Sequence, residues 1–446
     1  MKKLIALVLA MVMVLALAAC APSTPDTPST TAPKDTNPAS TPDTTPVEPA
    51  ADDVELKLWT YPVGNWGDQA TVDALIADFN AVYPNIHVSV EYLDYTNGDD
   101  KVNTAIEGNA APDLVFEGPE RLVANWGAKG LLVDLSDLMD SEAAGKMYAA
   151  TKSSCTSADG AMYEFPVCQT AHCMAINRDV FEAAGAWQYV DEETHTWTTE
   201  NFLKAVQAVY EYGQDPVGVV FCGGQGGDQG NRALITNMYG GTYANAEHTE
   251  YTFFSPENVK ALETLYAQDG INFDPAIVGG DEIVNFVNGT FAMATCWNVA
   301  QEKSNADALT FDVFPMAFPT ESGDPILQGG IWGFGVFNNG DQAKIDAAKT
   351  FIRFMTEDDA QYTKAVEASS YWAVRDVEGV YEGDELMTEY GTLIPFMGDY
   401  YQITKGWAEA RTIWWNMLQK VGAGEDVATV LEAAQTDANA AAAAAG

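Results

Sequence analysis

Basic side chains are scarce in this chain. Only 22 Lys and Arg stand against 64 Asp and Glu, a formal net charge of −42. No stripe of Lys and Arg is available to neutralise phosphates, which excludes nucleic acid as a partner. A strongly anionic ligand meets the same field unless a local Arg overrides it, and the remaining use of the charge is solubility. Histidine is rarer still: His87, His172, His195 and His248 are scattered, with no metal-ligand spacing, so neither a metal nor a cofactor is expected. A G-x-S-x-G nucleophile elbow is missing. The glycines from Gly223 to Gly230 lack both the third Gly of G-x-G-x-x-G and the Lys-Ser/Thr of a phosphate loop. Asn97-Gly98-Asp99-Asp100 reads as a turn, not as an EF-hand loop. Of six cysteines, Cys155, Cys168, Cys173, Cys222 and Cys296 lie beyond residue 20, an odd number without a Cys-x-x-Cys pair. That is no disulfide framework; a single bridge among Cys155, Cys168 and Cys173, or free thiols throughout, are both open.

Long apolar runs are also missing after residue 20, so no later stretch spans a bilayer. The first twenty residues are different. Lys2 and Lys3 precede an apolar run from Leu4 to Ala19, ending in Leu17-Ala18-Ala19-Cys20. This has the anatomy of a signal peptide over residues 1–19, and its end resembles a bacterial lipobox with Cys20 as the lipidated residue. More than one acyl chain, at about 0.8 kcal/mol per buried CH₂, gives a stable anchor. Losing Lys2 and Lys3 with the leader takes the charge from −42 to −44. Residues 20–53 then carry a Pro every few positions and no aromatic. Such a segment buries too little to fold and, as polyproline II, reaches on the order of 100 Å. It reads as a tether holding a domain at the extracellular face of the membrane.

The remainder is long enough for two domains. Val54 to Trp59 alternates as a strand, Thr71 to Tyr83 has helical spacing, and Pro84-Asn85 stops it. Ile86 to Tyr92 is a second strand, Asp100 to Glu107 a second helix, and Ala111 to Phe116 a third strand. This alternation implies a parallel sheet with helices on its faces, and ligands beyond the carboxyl ends of its strands. Further on, Thr198 or Thr199 caps a helix from Asn201 to Tyr212. Val217 to Cys222, Phe291 to Thr295 and Ile331 to Phe337 read as strands. Asp281 to Val287, Gln342 to Met355, Gly406 to Val421 and Val427 to Ala440 read as helices, before an Ala-rich tail over residues 441–446.

Six stretches, in order, resemble the family 1 extracellular solute-binding proteins of ABC importers, the maltose and multiple-sugar group. They are Phe79-Asn80-Ala81-Val82-Tyr83-Pro84-Asn85-Ile86-His87-Val88, Gly108 to Val115 with Pro112-Asp113, Gly127 to Leu135, Asp159-Gly160-Ala161-Met162-Tyr163-Glu164-Phe165-Pro166, Ile176 to Gly185, and Gly289-Thr290-Phe291-Ala292-Met293 followed by Trp297. Val167-Cys168-Gln169-Thr170 after Pro166, and Ile176 in place of a Tyr, depart from the family pattern and leave the ligand open. The resemblance implies a two-lobed α/β periplasmic-binding-protein fold of type II-like form, with parallel-type sheets flanked by helices and a hinge between lobes. It implies residues 54–166 with about 300–355 in one lobe and about 167–299 with 356–440 in the other. It further implies a monomeric receptor that hands a mono- or oligosaccharide to membrane-embedded permease subunits. A polar non-sugar solute is the alternative ligand. A surface glycoside hydrolase using Glu117 and Glu120 is the alternative class, on a weak signal, because 64 acidic residues always furnish such pairs.

Eleven Trp, 19 Tyr and 19 Phe make stacking on the apolar face of a sugar the natural mode of recognition, with carboxylates and amides taking the hydroxyls. Trp297 matches the family's stacking Trp. Trp332 follows Gly329-Gly330 at a lobe crossing, Trp372 sits in Ser369-Ser370-Tyr371-Trp372, and Trp407 leads a late helix. Glu117 and Glu120 follow the third strand, where the family places a sugar-binding carboxylate, although Arg121 beside them also suits a plain ion pair. Tyr61 and Trp66 in the first loop, with Gln169 and Thr170 at the crossing, complete the expected cleft, while Trp59 and Trp415 are assigned to the core.

Overall fold

The computed structural model describes residues 53–95, 97–224 and 228–445. The expected leader, Cys20 and the tether up to residue 52 lie outside the described residues. Among the described residues no helix is long and apolar enough to cross a membrane.

Strand β1 (Val54–Thr60) points Leu56 and Leu58 into the first core. The helix Gln69–Val82 starts at Asp68, whose carboxylate accepts from the Thr71 N–H, and buries Val72, Leu75, Ile76 and Phe79. Strand β2 (Ile86–Tyr92) runs parallel to β1. After the helix Gly98–Glu107, β3 (Leu114–Glu117) pairs parallel on the other side of β1. The chain leaves this lobe through β4 (Phe165–Ala171) and enters the next through β5 (Cys173–Asn177). The second lobe adds β6 (Gly218–Phe221), β7 (Ile271–Asp274), β8 (Met293–Trp297) and β9 (Val313–Met316). Strand β10 (Gly329–Val336) returns to the first lobe, where β11 (Trp372–Ala373) is the last strand.

The first sheet has the order β11-β4-β10-β3-β1-β2, the second β8-β5-β9, and β6 pairs with β7. The parallel arrangement expected for the first three strands is present. The strands that carry the chain between lobes add antiparallel pairs: β10 with both β3 and β4, β11 with β4, and β5 with both β8 and β9. Entering and leaving a lobe by neighbouring strands needs no crossover helix, and antiparallel pairing follows.

Each lobe has its own core. Leu58, Phe79, Phe116, Phe334 and Phe351 anchor the first, and Phe202, Val220, Leu262, Phe286 and Trp414 the second. The first core also takes in Val167, Cys168 and the buried residues from Tyr362 to Val374. The second takes in Val313 to Leu327. Both placements differ from the expected boundaries, which gave 167 onward and 356–440 to lobe 2 and 300–355 to lobe 1. The reason is a pair of tertiary bonds: the Tyr362 hydroxyl donates to the Val167 carbonyl and accepts from the Val374 N–H, which ties the helix Asp359–Ser369 to β4. The C-terminal tail differs as well. The helix Val427–Ala444 continues past residue 440, and Ala442 is buried. Gly406, at φ +69°, makes this docking fit, since a Cβ there would meet the Ala441 carbonyl carbon and Ala442 Cα at 3.0 Å. Trp59 and Trp415 are only half buried, and the fully buried neighbour is Trp414.

Candidate functional site

The carboxyl end of β3 carries a cluster of charged side chains around Arg121. Glu117 is buried and accepts from Arg121 Nη1 at 2.8 Å and from the Tyr95 hydroxyl at 3.5 Å. Arg121 also donates through Nε to Asp99 at 2.7 Å and lies 3.5 Å from Glu120. One guanidinium therefore serves three carboxylates. Loss of solvent pushes the Glu117 carboxyl up to about 8; Arg121 opposes this, and Glu120 and Asp99 reinforce it. Tyr61 is buried under this cluster, donates to Asp99 at 2.5 Å and stacks on Tyr95.

Trp332 stacks on Tyr371 with centroids 4.8 Å apart and planes 16° from parallel. Gly330 lets that indole fold back over the strand, since a Cβ there would sit 1.9 Å from the ring. Glu120 remains partly open and accepts from the Tyr400 hydroxyl at 2.9 Å. Tyr400 comes from the second lobe's late chain, and its ring is buried with Cys155 and Ile331.

Several expected cleft residues have other placements. Trp66 is sealed in the first core, donating to the Ala365 carbonyl and stacking on Phe116. Gln169 is buried and spent on structure, accepting from Thr151 and donating to the Ala373 carbonyl. Trp297 is fully buried in the second core, packed edge-on against Phe286 and donating to the Tyr390 hydroxyl at 2.7 Å. In each case the ring or amide is turned inward, where burial and a hydrogen bond hold it. Trp372 is half buried and donates to the Met387 carbonyl at 3.3 Å. Trp407 lies over the Arg232 guanidinium at 4.8 Å, beside Tyr243 and Tyr401. Arg232 is fully buried and pairs with Asp228, which also receives Arg411 at 2.7 Å.

The junction also holds buried polar atoms with no hydrogen-bond partner among the described residues. These are Thr170 Oγ1, Gln328 Oε1, Gln402 Nε2 and Thr404 Oγ1, while the buried Glu164 carboxyl meets the Cys155 thiol. Glu164 is pushed well above the usual carboxylate range, by loss of solvent first and then by Glu120 and Glu117. Two cavities adjoin these residues. One of about 440 Å³ is lined by Tyr239, Tyr243, Gln328, Asp399 and Tyr401, and one of about 790 Å³ by Ala124, Tyr163, His248, Ile403 and Lys405.

The sequence reading missed Tyr95, Tyr371, Tyr400 and Glu164. Tyr371 stands beside Trp372 in Ser369-Ser370-Tyr371-Trp372, and Glu164 lies in the stretch over residues 159–166. Tyr400 had no local signal, because its partner Glu120 is 280 residues away.

A model of the bacterial extracellular solute-binding protein family matches residues 64–362. In fold, the chain is similar to a cyclic alpha-maltosyl-1,6-maltose binding protein from Arthrobacter globiformis, with a TM-score of 0.72 and 20% identity over 87% of this chain and 99% of that one. It is similar to the sugar-binding protein MalE of Xanthomonas citri, with a TM-score of 0.69 and 14% identity over 88% and 98% of the two chains. It is also similar to a solute-binding protein of Agrobacterium radiobacter K84 in complex with ribitol, with a TM-score of 0.62 and 21% identity over 87% and 99%. At these identities the likeness establishes the two-lobed fold. A curated relative, an uncharacterized lipoprotein from the oleD 5′ region of Streptomyces antibioticus, is 25% identical over 138 residues, covering 31% of this chain and 30% of that protein.

Proposed function

Since the chain belongs to the bacterial extracellular solute-binding proteins, we propose that it captures a mono- or oligosaccharide between its lobes for delivery to an ABC permease. The observation that carries this reading is the pairing, at one junction, of aromatic faces with unsatisfied buried polar groups. Trp332, Tyr371 and Tyr95 supply the rings. Thr170, Gln328, Gln402 and Thr404 supply acceptors and donors without partners among the described residues. Burying such atoms unpaired costs about 1–3 kcal/mol each, so a polyhydroxylated ligand that pairs them recovers that cost. A sugar ring stacks its C–H face on aromatics and offers hydroxyls at its rim. The names of the structural relatives, which include a binding protein for a cyclic maltose-type oligosaccharide and a complex with the sugar alcohol ribitol, support a polyhydroxylated ligand.

The site residues of this reading are Glu117, Glu120 and Arg121 at the end of β3, Trp332, Tyr371 and Trp372 on the first lobe, Thr170 at the crossing, and Trp407 on the second. The receptor works as a monomer without turnover. A lipid on Cys20 and the tether after it keep it at the extracellular face of the cell membrane, where tethering raises its effective concentration near the permease.

Titration calorimetry of the folded domain against a glycan panel, with chromatography of the mixtures afterwards, tests this. Heat of binding to a subset of saccharides with every glycan recovered intact is expected. Cleaved product would replace the receptor by a hydrolase, and silence toward all saccharides would end the sugar assignment. For the anchor, Cys20→Ser should move the protein from the membrane fraction to the medium.

A further inference from the structure

The stretch from the helix Glu385–Gly391 to Thr404 behaves as a strap across the junction. It is rooted in the second lobe, where Met387, Tyr390, Leu393 and Tyr401 belong to the core. Tyr390 takes the indole N–H of Trp297 and donates to Glu302 at 2.5 Å. The backbone then runs beside β10's entry, with the Leu327 N–H bonded to the Phe396 carbonyl and the Gly398 N–H to the Leu327 carbonyl. From this root the strap reaches the first lobe at two points. The Met387 carbonyl accepts from Trp372, and the Tyr400 hydroxyl donates to Glu120 at 2.9 Å.

Tyr400 looks chemically like a ligand in that place. It presents a six-membered ring, packed on the apolar Ile331 and Cys155, with a rim hydroxyl on a carboxylate. The strap also forms walls of both adjoining cavities, Asp399 and Tyr401 on one side and Ile403 on the other. Two of its own buried polar atoms, Gln402 Nε2 and Thr404 Oγ1, lack partners among the described residues, so its present seat leaves hydrogen-bonding capacity unused.

We propose that Tyr400 is an internal occupant of the Glu120 subsite, and that capture requires the strap Glu385–Thr404 to yield this position to the ligand. The inference rests on the saccharide-receptor reading of the same junction. It makes Tyr400 a specificity-determining residue. A solute enters only if it can replace both the ring packing and the hydroxyl-to-carboxylate bond, which selects a pyranose carrying a rim hydroxyl over an acyclic or anionic solute. An internal occupant lowers apparent affinity by the fraction of molecules in which the subsite is free.

Tyr400→Phe keeps the ring and removes only the hydroxyl. It should bind the best glycan of the panel more tightly, by roughly fivefold. Equal or weaker binding would overturn the proposal, because the hydroxyl would then be idle or a ligand contact. Hydrogen exchange supplies a reading that needs no ligand. In the free protein, Tyr400→Phe should speed exchange of the Gly398 and Thr404 amides while those of β1 keep the wild-type rate; unchanged strap exchange overturns the latch. If no glycan binds either protein while the strap amides respond, the latch stands and the saccharide reading fails.

Discussion

The indole N–H of Trp297 donates to the Tyr390 hydroxyl across 2.7 Å, inside a core that excludes solvent from the ring. A Trp at this position suits ligand stacking by motif, yet its polar edge and its faces are already used. Trp297→Ala should therefore act on stability, at a cost of about 3–5 kcal/mol for an emptied aromatic site. Trp332→Ala, a half-buried ring on the first lobe's rim, should weaken saccharide binding about tenfold with a far smaller change in melting temperature. Thermal melts and calorimetry on both variants decide the matter. A Trp297→Ala protein that melts like wild type and loses only affinity would return Trp297 to the site.

Buried Glu117 should give stability a recognisable pH dependence. Its carboxyl is raised to about 8 in the fold, against about 4.3 in an unfolded chain. Between those values the folded state holds the extra proton. The contribution is complete below about pH 4.3 and is lost as the pH climbs through about 8. Melting temperatures from pH 5 to pH 9 should thus fall more steeply in wild type than in Glu117→Gln. Parallel curves would show Glu117 to be charged throughout.

All five described cysteines are buried and unbridged. Burial is the first cause raising each thiol above its ordinary range, and a thiol without thiolate is a poor nucleophile. A maleimide or disulfide reagent at neutral pH should label none of the five in the native domain and all of them in denaturant. Rapid native labelling of any one would contradict this packing.

Asp228 balances two arginines, one of them Arg232, which is sealed from solvent among Tyr243, Tyr401 and Trp407. Removing the carboxylate strands a buried cation, so Asp228→Asn should lower unfolding free energy by about 3–5 kcal/mol. Denaturant melts would show it, and a loss under about 1 kcal/mol would mean that water reaches Arg232.

Much of the local architecture was legible. Thr198 caps the helix Thr199–Tyr212 by accepting from the Asn201 N–H, as its position before the apolar repeat implied. The β1, β2 and β3 stretches alternated with two helical periods and pair in parallel. Such features are encoded within a turn or a pleat, so neighbouring residues suffice to specify them. The family motifs, likewise, are contiguous. The candidate site was legible only in part. Glu117 and Glu120 share Arg121 at the end of β3, and Trp332 stacks on Tyr371. Which way Trp66, Trp297 and Gln169 turn was not readable, since each indole or amide follows a partner far along the chain: Ala365 for Trp66, Tyr390 for Trp297, Ala373 for Gln169.

By itself, then, the sequence determined the element order, the two-lobed family fold, the strongly acidic net charge, and the expectation of an anchor at Cys20. Tertiary structure alone decided the lobe boundaries, the inward turn of Trp297, and the seat of Tyr400 on Glu120. Periodicity and capping are short-range, whereas a side chain's choice between core and cleft depends on packing partners that only the fold brings together.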